Sequence, residues 1–128
     1  AAQAGGVKVV DLTNPTSPRV IKSIATTVNV EVIAVEGTRA YTTGSGKFYV
    51  IDNDPLSNDY LTIIKSEDYA TGANGIKVVG NTAYVIGYSS SLGSGCLQLI
   101  DLDPNNPTTY LKVIKFPSTT TLSQRTDM

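Results

Sequence analysis

The sequence contains no histidine and only one cysteine, Cys96, among its 128 residues. Without histidine, the chain has neither the usual general base of a hydrolase nor the Cys/His ligand set of a zinc site. A lone cysteine also excludes a disulfide within the chain. Cys96 opens a strand-like run with no cationic neighbour, so we expect it to be a small buried hydrophobic residue rather than a nucleophile.

Charge is scarce as well. Charged residues make up 16% of the chain, and 10 basic against 11 acidic side chains give a net charge of −1. This balance does not favour binding to nucleic acid or to an anionic membrane surface. No apolar run approaches the ~20 residues that a membrane-spanning helix needs. We therefore expect no nucleic-acid partner and no membrane span, in a chain long enough for one ordinary domain.

The sequence is rich, by contrast, in the signals of β-strands. β-branched residues predominate, and no window has the 3.6-residue periodicity of an amphipathic helix. Short apolar or alternating runs are bounded instead by Gly, Pro, Asn or Asp. They predict ten strands, over residues 7–12, 19–24, 30–35, 39–43, 47–52, 61–65, 75–79, 82–87, 96–102 and 110–115. The predicted class is all-β, with antiparallel hairpins.

Two strand motifs recur along the chain. An apolar strand that ends on aspartate occurs at Asp11, Asp52 and Asp101, and each is followed by a proline-containing turn and a further strand. A tight glycine turn followed by an Ala-Tyr strand occurs at Tyr41 and Tyr84. A repeat of about 40 to 50 residues with four strands per unit is typical of β-propeller blades. The recurrent tyrosines are then expected to pack between adjacent blades.

With the strands of a blade labelled A to D from the central axis outward, residues 1–116 divide into two and a half blades. A C–D hairpin spans about residues 5–27, one blade about 28–72 and a second about 73–116. Residues 117–128 form a polar tail or the start of a further blade. A closed propeller has about four to eight blades, so the chain is expected to be part of a longer propeller or to be completed by oligomerisation. A β-sandwich is the alternative fold.

The residues of these motifs also carry a family resemblance. Residues 6–18, Gly-Val-Lys-Val-Val-Asp-Leu-Thr-Asn-Pro-Thr-Ser-Pro, resemble the signature of LVIVD repeats, and residues 80–85, Gly-Asn-Thr-Ala-Tyr-Val, resemble a second element of the same repeats. The turn at Pro55 departs from the pattern because it lacks the second proline, and residues 88–94 lengthen one hairpin. The resemblance implies a β-propeller of the kind found in bacterial and archaeal cell-surface proteins. It therefore implies an extracellular or cell-surface location, and it supplies no catalytic residues.

The densest cluster of oxygen ligands follows the second aspartate strand. Asp52, Asp54 and Asp59 could supply several of the six to eight oxygens that calcium prefers. The segment has no glycine at the sharp-turn position and no closing glutamate, so it is not an EF-hand. The alternative is a turn in which these side chains accept hydrogen bonds from nearby backbone amides. We retain the three aspartates as a candidate calcium site; Asp101 and Asp103 form a weaker pair, and no other cofactor is expected.

The longest connection between strands is a second candidate site. It spans residues 88–95, and its candidate interaction residues are Tyr88, Ser89, Ser90, Ser91 and Leu92. Its serines have no histidine to activate them, so a role in binding is favoured over catalysis, and a tolerated insertion is the alternative.

No catalytic constellation emerges from the sequence. The favoured interpretation is a non-catalytic scaffold or interaction module that binds protein or glycan through blade-end loops. Association of the chain with copies of itself is part of this interpretation. Its expected partners are a second copy or the rest of a longer propeller chain. The alternative is a metal-dependent propeller hydrolase or lyase that uses the turn carboxylates.

Overall fold

The structure, a computed structural model, describes residues 6–68, 71–89 and 94–115. These residues form ten strands. They are β1 (Val7–Asp11), β2 (Arg19–Ile24), β3 (Val32–Glu36), β4 (Arg39–Gly44), β5 (Lys47–Asp52), β6 (Ile63–Asp68), β7 (Thr71–Val79), β8 (Thr82–Ser89), β9 (Ser94–Asp101) and β10 (Val113–Lys115). The part of the chain described here contains no helix that could cross a membrane.

The strands form three antiparallel sheets in chain order. Sheet 1 consists of β1 and β2, sheet 2 has the order β3-β4-β5-β6, and sheet 3 has the order β7-β8-β9-β10. The all-β class and the antiparallel pairing are thereby confirmed. The ten strands lie in three sheets, whereas a β-sandwich would place them in two. The sheets are open, and closure into a propeller stays a prediction.

Five predicted strand starts differ from the structure. β3, β7 and β9 begin at Val32, Thr71 and Ser94 rather than at residues 30, 75 and 96, and the other two differ for one physical reason. β6 begins at Ile63 rather than at residue 61, and β10 begins at Val113 rather than at residue 110. Leu61 and Leu111 have φ angles of 58° and 60°, which belong to the left-handed region and interrupt an extended strand. Leucine rarely adopts this conformation, so nothing in the residue type indicates it.

One hydrophobic core lies between each pair of adjacent sheets. The core between sheets 1 and 2 contains Val7, Ile24, Val30, Ala40, Tyr49, Ile51 and Leu61. The core between sheets 2 and 3 contains Tyr41, Phe48, Val50, Ala73, Val78, Ala83, Val85, Ile100, Leu102 and Leu111. Because successive residues of a strand point to opposite faces, sheet 2 supplies side chains to both cores. Its strands β4 and β5 are consequently buried on both faces, which accounts for the continuous apolar run of β5.

Candidate functional site

The pairing registers show that sheets 2 and 3 are equivalent strand by strand. Asp52 lies opposite Arg39 in the β4–β5 pair, and Asp101 lies opposite Thr82 in the β8–β9 pair. Sheet 1, which ends its first strand on Asp11, corresponds to the last two strands of the other sheets. Each residue of sheet 2 can therefore be compared with its counterpart in sheet 3.

The turn after β5 is organised by the carboxylate of Asp52. Its Oδ1 accepts a hydrogen bond from the backbone N–H of Asp54 at 2.8 Å, and its Oδ2 accepts one from the Ser57 hydroxyl at 2.8 Å. The guanidinium of Arg39 lies 3.3 Å from Oδ1. Both carboxylate oxygens therefore accept hydrogen bonds from residues of the turn.

The same arrangement recurs in the other two sheets. Oδ1 of Asp101 accepts from the backbone N–H of Asp103 at 2.9 Å, and its Oδ2 accepts from the Thr109 hydroxyl. Oδ1 of Asp11 accepts from the backbone N–H and the hydroxyl of Thr13, at 2.9 and 2.8 Å. The aspartate that ends the strand therefore accepts hydrogen bonds from the following turn in all three sheets.

These hydrogen bonds favour the ionised carboxylates. The backbone N–H of Asp54, with the Ser57 hydroxyl second, holds the pKa of Asp52 below its ordinary value of 3.8. The Thr109 hydroxyl, followed by the Asp103 N–H, lowers the pKa of Asp101 in the same way. Folding is thus coupled to the ionisation of these side chains.

Acid should destabilise the protein through these turns. Because the pKa of Asp52 is lower in the folded than in the unfolded chain, its stabilisation is fully present above a pH of about 4 and is lost as the pH falls through the folded value. We expect Asp52→Asn to lower the free energy of unfolding at pH 7 and to flatten its decline below pH 4. Urea unfolding between about pH 2.5 and 7 measures both effects.

Asp59→Asn is the matched control, since it removes the same charge from an exposed position in the same turn. Because the Asp59 side chain is exposed, this variant should leave the free energy of unfolding at pH 7 close to that of the unmodified chain. An unchanged slope below pH 4 in the Asp52 variant would contradict a stabilising role for this carboxylate.

The three candidate calcium ligands, Asp52, Asp54 and Asp59, belong to this one turn, but their carboxylates are not grouped around a common point. Oδ1 of Asp54 accepts from the backbone N–H of Leu56 at 2.9 Å, and Asp59 is exposed. Within residues 6–68, 71–89 and 94–115, no three His, Cys, Asp or Glu side chains are grouped so that they could hold a metal ion. Asp101 and Asp103 repeat the pattern in sheet 3. The calcium site stays a prediction and draws no support from the geometry.

The candidate interaction loop is only partly described. Ser90, Ser91 and Leu92 lie outside the described residues, whereas Tyr88 and Ser89 belong to β8. Tyr88 is exposed and lies on the outer face of sheet 3, on the same side of β8 as Tyr84 and Ile86. It is therefore part of an apolar sheet face.

That outer face is the exposed apolar surface expected of a terminal blade. Tyr41 of sheet 2 is 8% exposed because sheet 3 covers it, whereas its counterpart Tyr84 is 40% exposed. Val79 and Ile86 are also exposed on this side. We define the outer face of sheet 3 by Val79, Tyr84, Ile86 and Tyr88. Lys77, which pairs with Tyr84, lies on the same face, so this is a mostly apolar surface with one cation. Apolar surfaces of this kind usually mark interaction sites.

A second apolar surface lies beside sheet 1. It is a groove of about 230 Å³ between β1 and the β3–β4 hairpin, with Ile33 and Val35 among its lining residues. We call it the β1 groove. The groove is present because sheet 1 has only two strands, whereas sheets 2 and 3 each have four.

Comparisons of the chain with protein-family models, with curated proteins and with solved structures find no match. The resemblance of the strand motifs to LVIVD repeats stays a prediction. The function must therefore be argued from the surfaces and turns described above.

Proposed function

We propose that this chain is a non-catalytic interaction module, a segment of a β-propeller that associates through the apolar surfaces at the two ends of its sheet stack. The observation that carries the proposal is the contrast between equivalent residues. Tyr41 is buried beneath the next sheet, while Tyr84 lies exposed where no further sheet follows among the described residues. Sheet 3 therefore presents a face that, in sheet 2, is an internal interface.

The arrangement of the sheets supports a propeller segment. Sheets 2 and 3 are four-stranded meanders, and they approach each other through their first strands, β3 and β7. The carboxylate of Glu31 accepts a hydrogen bond from the backbone N–H of Ala73 at 3.0 Å and links the two sheets at this point. Contact between first strands is expected of blades whose innermost strands surround one axis. The motif resemblance to LVIVD repeats supports the same assignment and a secreted or cell-surface location.

The chemistry of the end surfaces favours a protein partner. The outer face of sheet 3 presents Val79 and Ile86 beside two tyrosines, and aromatic and aliphatic side chains dominate the buried centres of protein interfaces. The partner is a second copy of the chain or the rest of a longer propeller. No observation favours the metal-dependent hydrolase or lyase, because protein donors engage the carboxylates of Asp52 and Asp101.

A charge on the outer face of sheet 3 should prevent association. Ile86 is 53% exposed in β8, so Ile86→Lys is expected to fold normally. Burying its ammonium group at an interface would raise the concentration at half-association by about tenfold or more. Light scattering after size exclusion, over a range of concentrations, measures this shift.

Leu56→Lys is the matched control. Leu56 is 92% exposed in the turn after β5, far along the chain from the outer face of sheet 3, so its replacement should leave association unchanged. An equal effect of the two substitutions would contradict binding through the sheet face. An effect of Leu56→Lys alone would point to blade-end loops instead.

A further inference from the structure

One edge of β1 lacks a partner strand among the described residues. β5 pairs with both β4 and β6, and β9 pairs with both β8 and β10, whereas their counterpart β1 pairs only with β2. The unpaired edge leaves backbone donors and acceptors available for another strand. No proline interrupts β1, whose sequence is Val-Lys-Val-Val-Asp.

Apolar side chains lie exposed beside this edge. Val35 is 59% exposed, yet its counterpart Val78 is 8% exposed because sheet 2 covers it. Ile33 and its counterpart Ile76 differ in the same direction: Ile76 packs against the core and Ile33 is an exposed large hydrophobic residue. The same repeat positions are therefore covered in sheet 3 and uncovered in sheet 2.

The β1 groove is continuous with an established interface. Five of its lining residues belong to the core between sheets 1 and 2; they are Val7, Ile24, Ala40, Ile51 and Leu61. A segment placed in the groove would extend this core and cover Ile33 and Val35. Its strand next to β1 would also supply the missing ladder of hydrogen bonds.

The strand order of sheets 2 and 3 indicates which kind of segment would fit in the β1 groove. In sheets 2 and 3 the position corresponding to the groove is filled by a two-stranded antiparallel hairpin, β3–β4 or β7–β8. The β3–β4 hairpin presents Val32, Ala34 and Tyr41 to the next sheet. Its Arg39 lies opposite Asp52, so the corresponding residue of an added hairpin would lie opposite Asp11.

We propose that the β1 groove binds a β-hairpin supplied by another polypeptide segment. The second strand of this hairpin, the counterpart of β4, pairs antiparallel with β1, and the hairpin's face of small, aliphatic and tyrosine side chains covers Ile33 and Val35. This inference rests on the proposed function, since it specifies the partner at one end of the sheet stack. It does not depend on the outer face of sheet 3.

A peptide copy of the chain's own hairpin tests the proposal on the full-length protein. The probe has the sequence of residues 29–46 and is closed by a disulfide between cysteines added at its two ends, which reduces the entropy lost on binding. Titration calorimetry should detect binding, and amide hydrogen exchange should show new protection confined to β1. A control peptide carries serine at the positions of Val32, Ala34 and Tyr41. Its affinity for the protein should be lower by about tenfold or more.

Variants of the protein locate the contact. Val35→Lys places a charge in the β1 groove and should weaken binding of the peptide by about tenfold or more. Ile86→Lys, on the outer face of sheet 3, should bind the peptide as the unmodified chain does. Equal affinity for both peptides, equal affinity of both variants, or protection without peptide of the β1 amides that point away from β2 would overturn the proposal. Loss of self-association in Ile86→Lys would still support the proposed function, so the two failures are distinguishable.

Discussion

Phe48→Ala should lower the free energy of unfolding by about 3–5 kcal/mol, the largest effect that we expect from a single substitution. Phe48 lies in β5 and is 1% exposed, in the core between sheets 2 and 3. Its ring packs against that of Tyr41, with centroids 6.2 Å apart and planes tilted by 40°. Truncation removes this buried surface and leaves a cavity that neighbours on two sheets must fill.

The counterpart of Phe48 in sheet 3 is Leu97, as the pairings of Phe48 with Thr43 and of Leu97 with Ile86 show. Leu97 is only partly buried, because no further sheet covers it among the described residues. Leu97→Ala should therefore cost about 1 kcal/mol. Urea unfolding at one fixed protein concentration compares the two variants, and equal losses would contradict the assignment of one face as interior and the other as exterior.

Gly87→Ala should destabilise the protein by about 3 kcal/mol through a direct collision of main-chain atoms. A Cβ atom at Gly87 would lie 1.9 Å from the carbonyl oxygen of Gly72. The equivalent Gly44 shows the same close approach, since its Cβ would lie 2.1 Å from the carbonyl oxygen of Asn29. Backbone atoms cannot rotate away as a side chain can, so β7 and β8 would have to separate at Gly87.

Gly80→Ala is the control for conformational strain alone. Gly80 has a φ of 57° in the β7–β8 turn, and no atom lies within 4 Å of the position that its Cβ would occupy. An alanine there costs only the left-handed backbone conformation, about 1–2 kcal/mol. Thermal unfolding of the two variants separates the effects. A Gly87 variant as stable as the Gly80 variant would show that the two strands do not approach as closely as the structure places them.

Much of the strand order follows from local chemistry. Aspartate, glycine and proline mark the strand ends, so all ten strands and the turn role of Asp52 were predictable. The glycines at the close approach were missed, although a signal existed: both Gly44 and Gly87 lie three residues after a repeated tyrosine. The left-handed conformations of Leu61 and Leu111 had no such signal, because they arise from the hydrogen bonds of the turn.

The exposed surfaces were not predictable from the residues that form them. Val35 and Val78 are the same residue type at the same repeat position. Whether such a side chain is buried depends on whether another sheet lies against it. The count of two and a half blades predicts apolar faces and unpaired strands at the two ends, but the residues that form the β1 groove and the outer face of sheet 3 became visible only in the structure.

The solution mass of the unmodified chain, measured by light scattering over a wide range of concentrations, tests most directly whether the end surfaces are interfaces. The exposed apolar side chains predict a mass that rises above 13.5 kDa as concentration increases, and binding of a hydrophobic dye that falls as the chain associates. A single species of 13.5 kDa at every concentration, with no dye bound, would contradict the account.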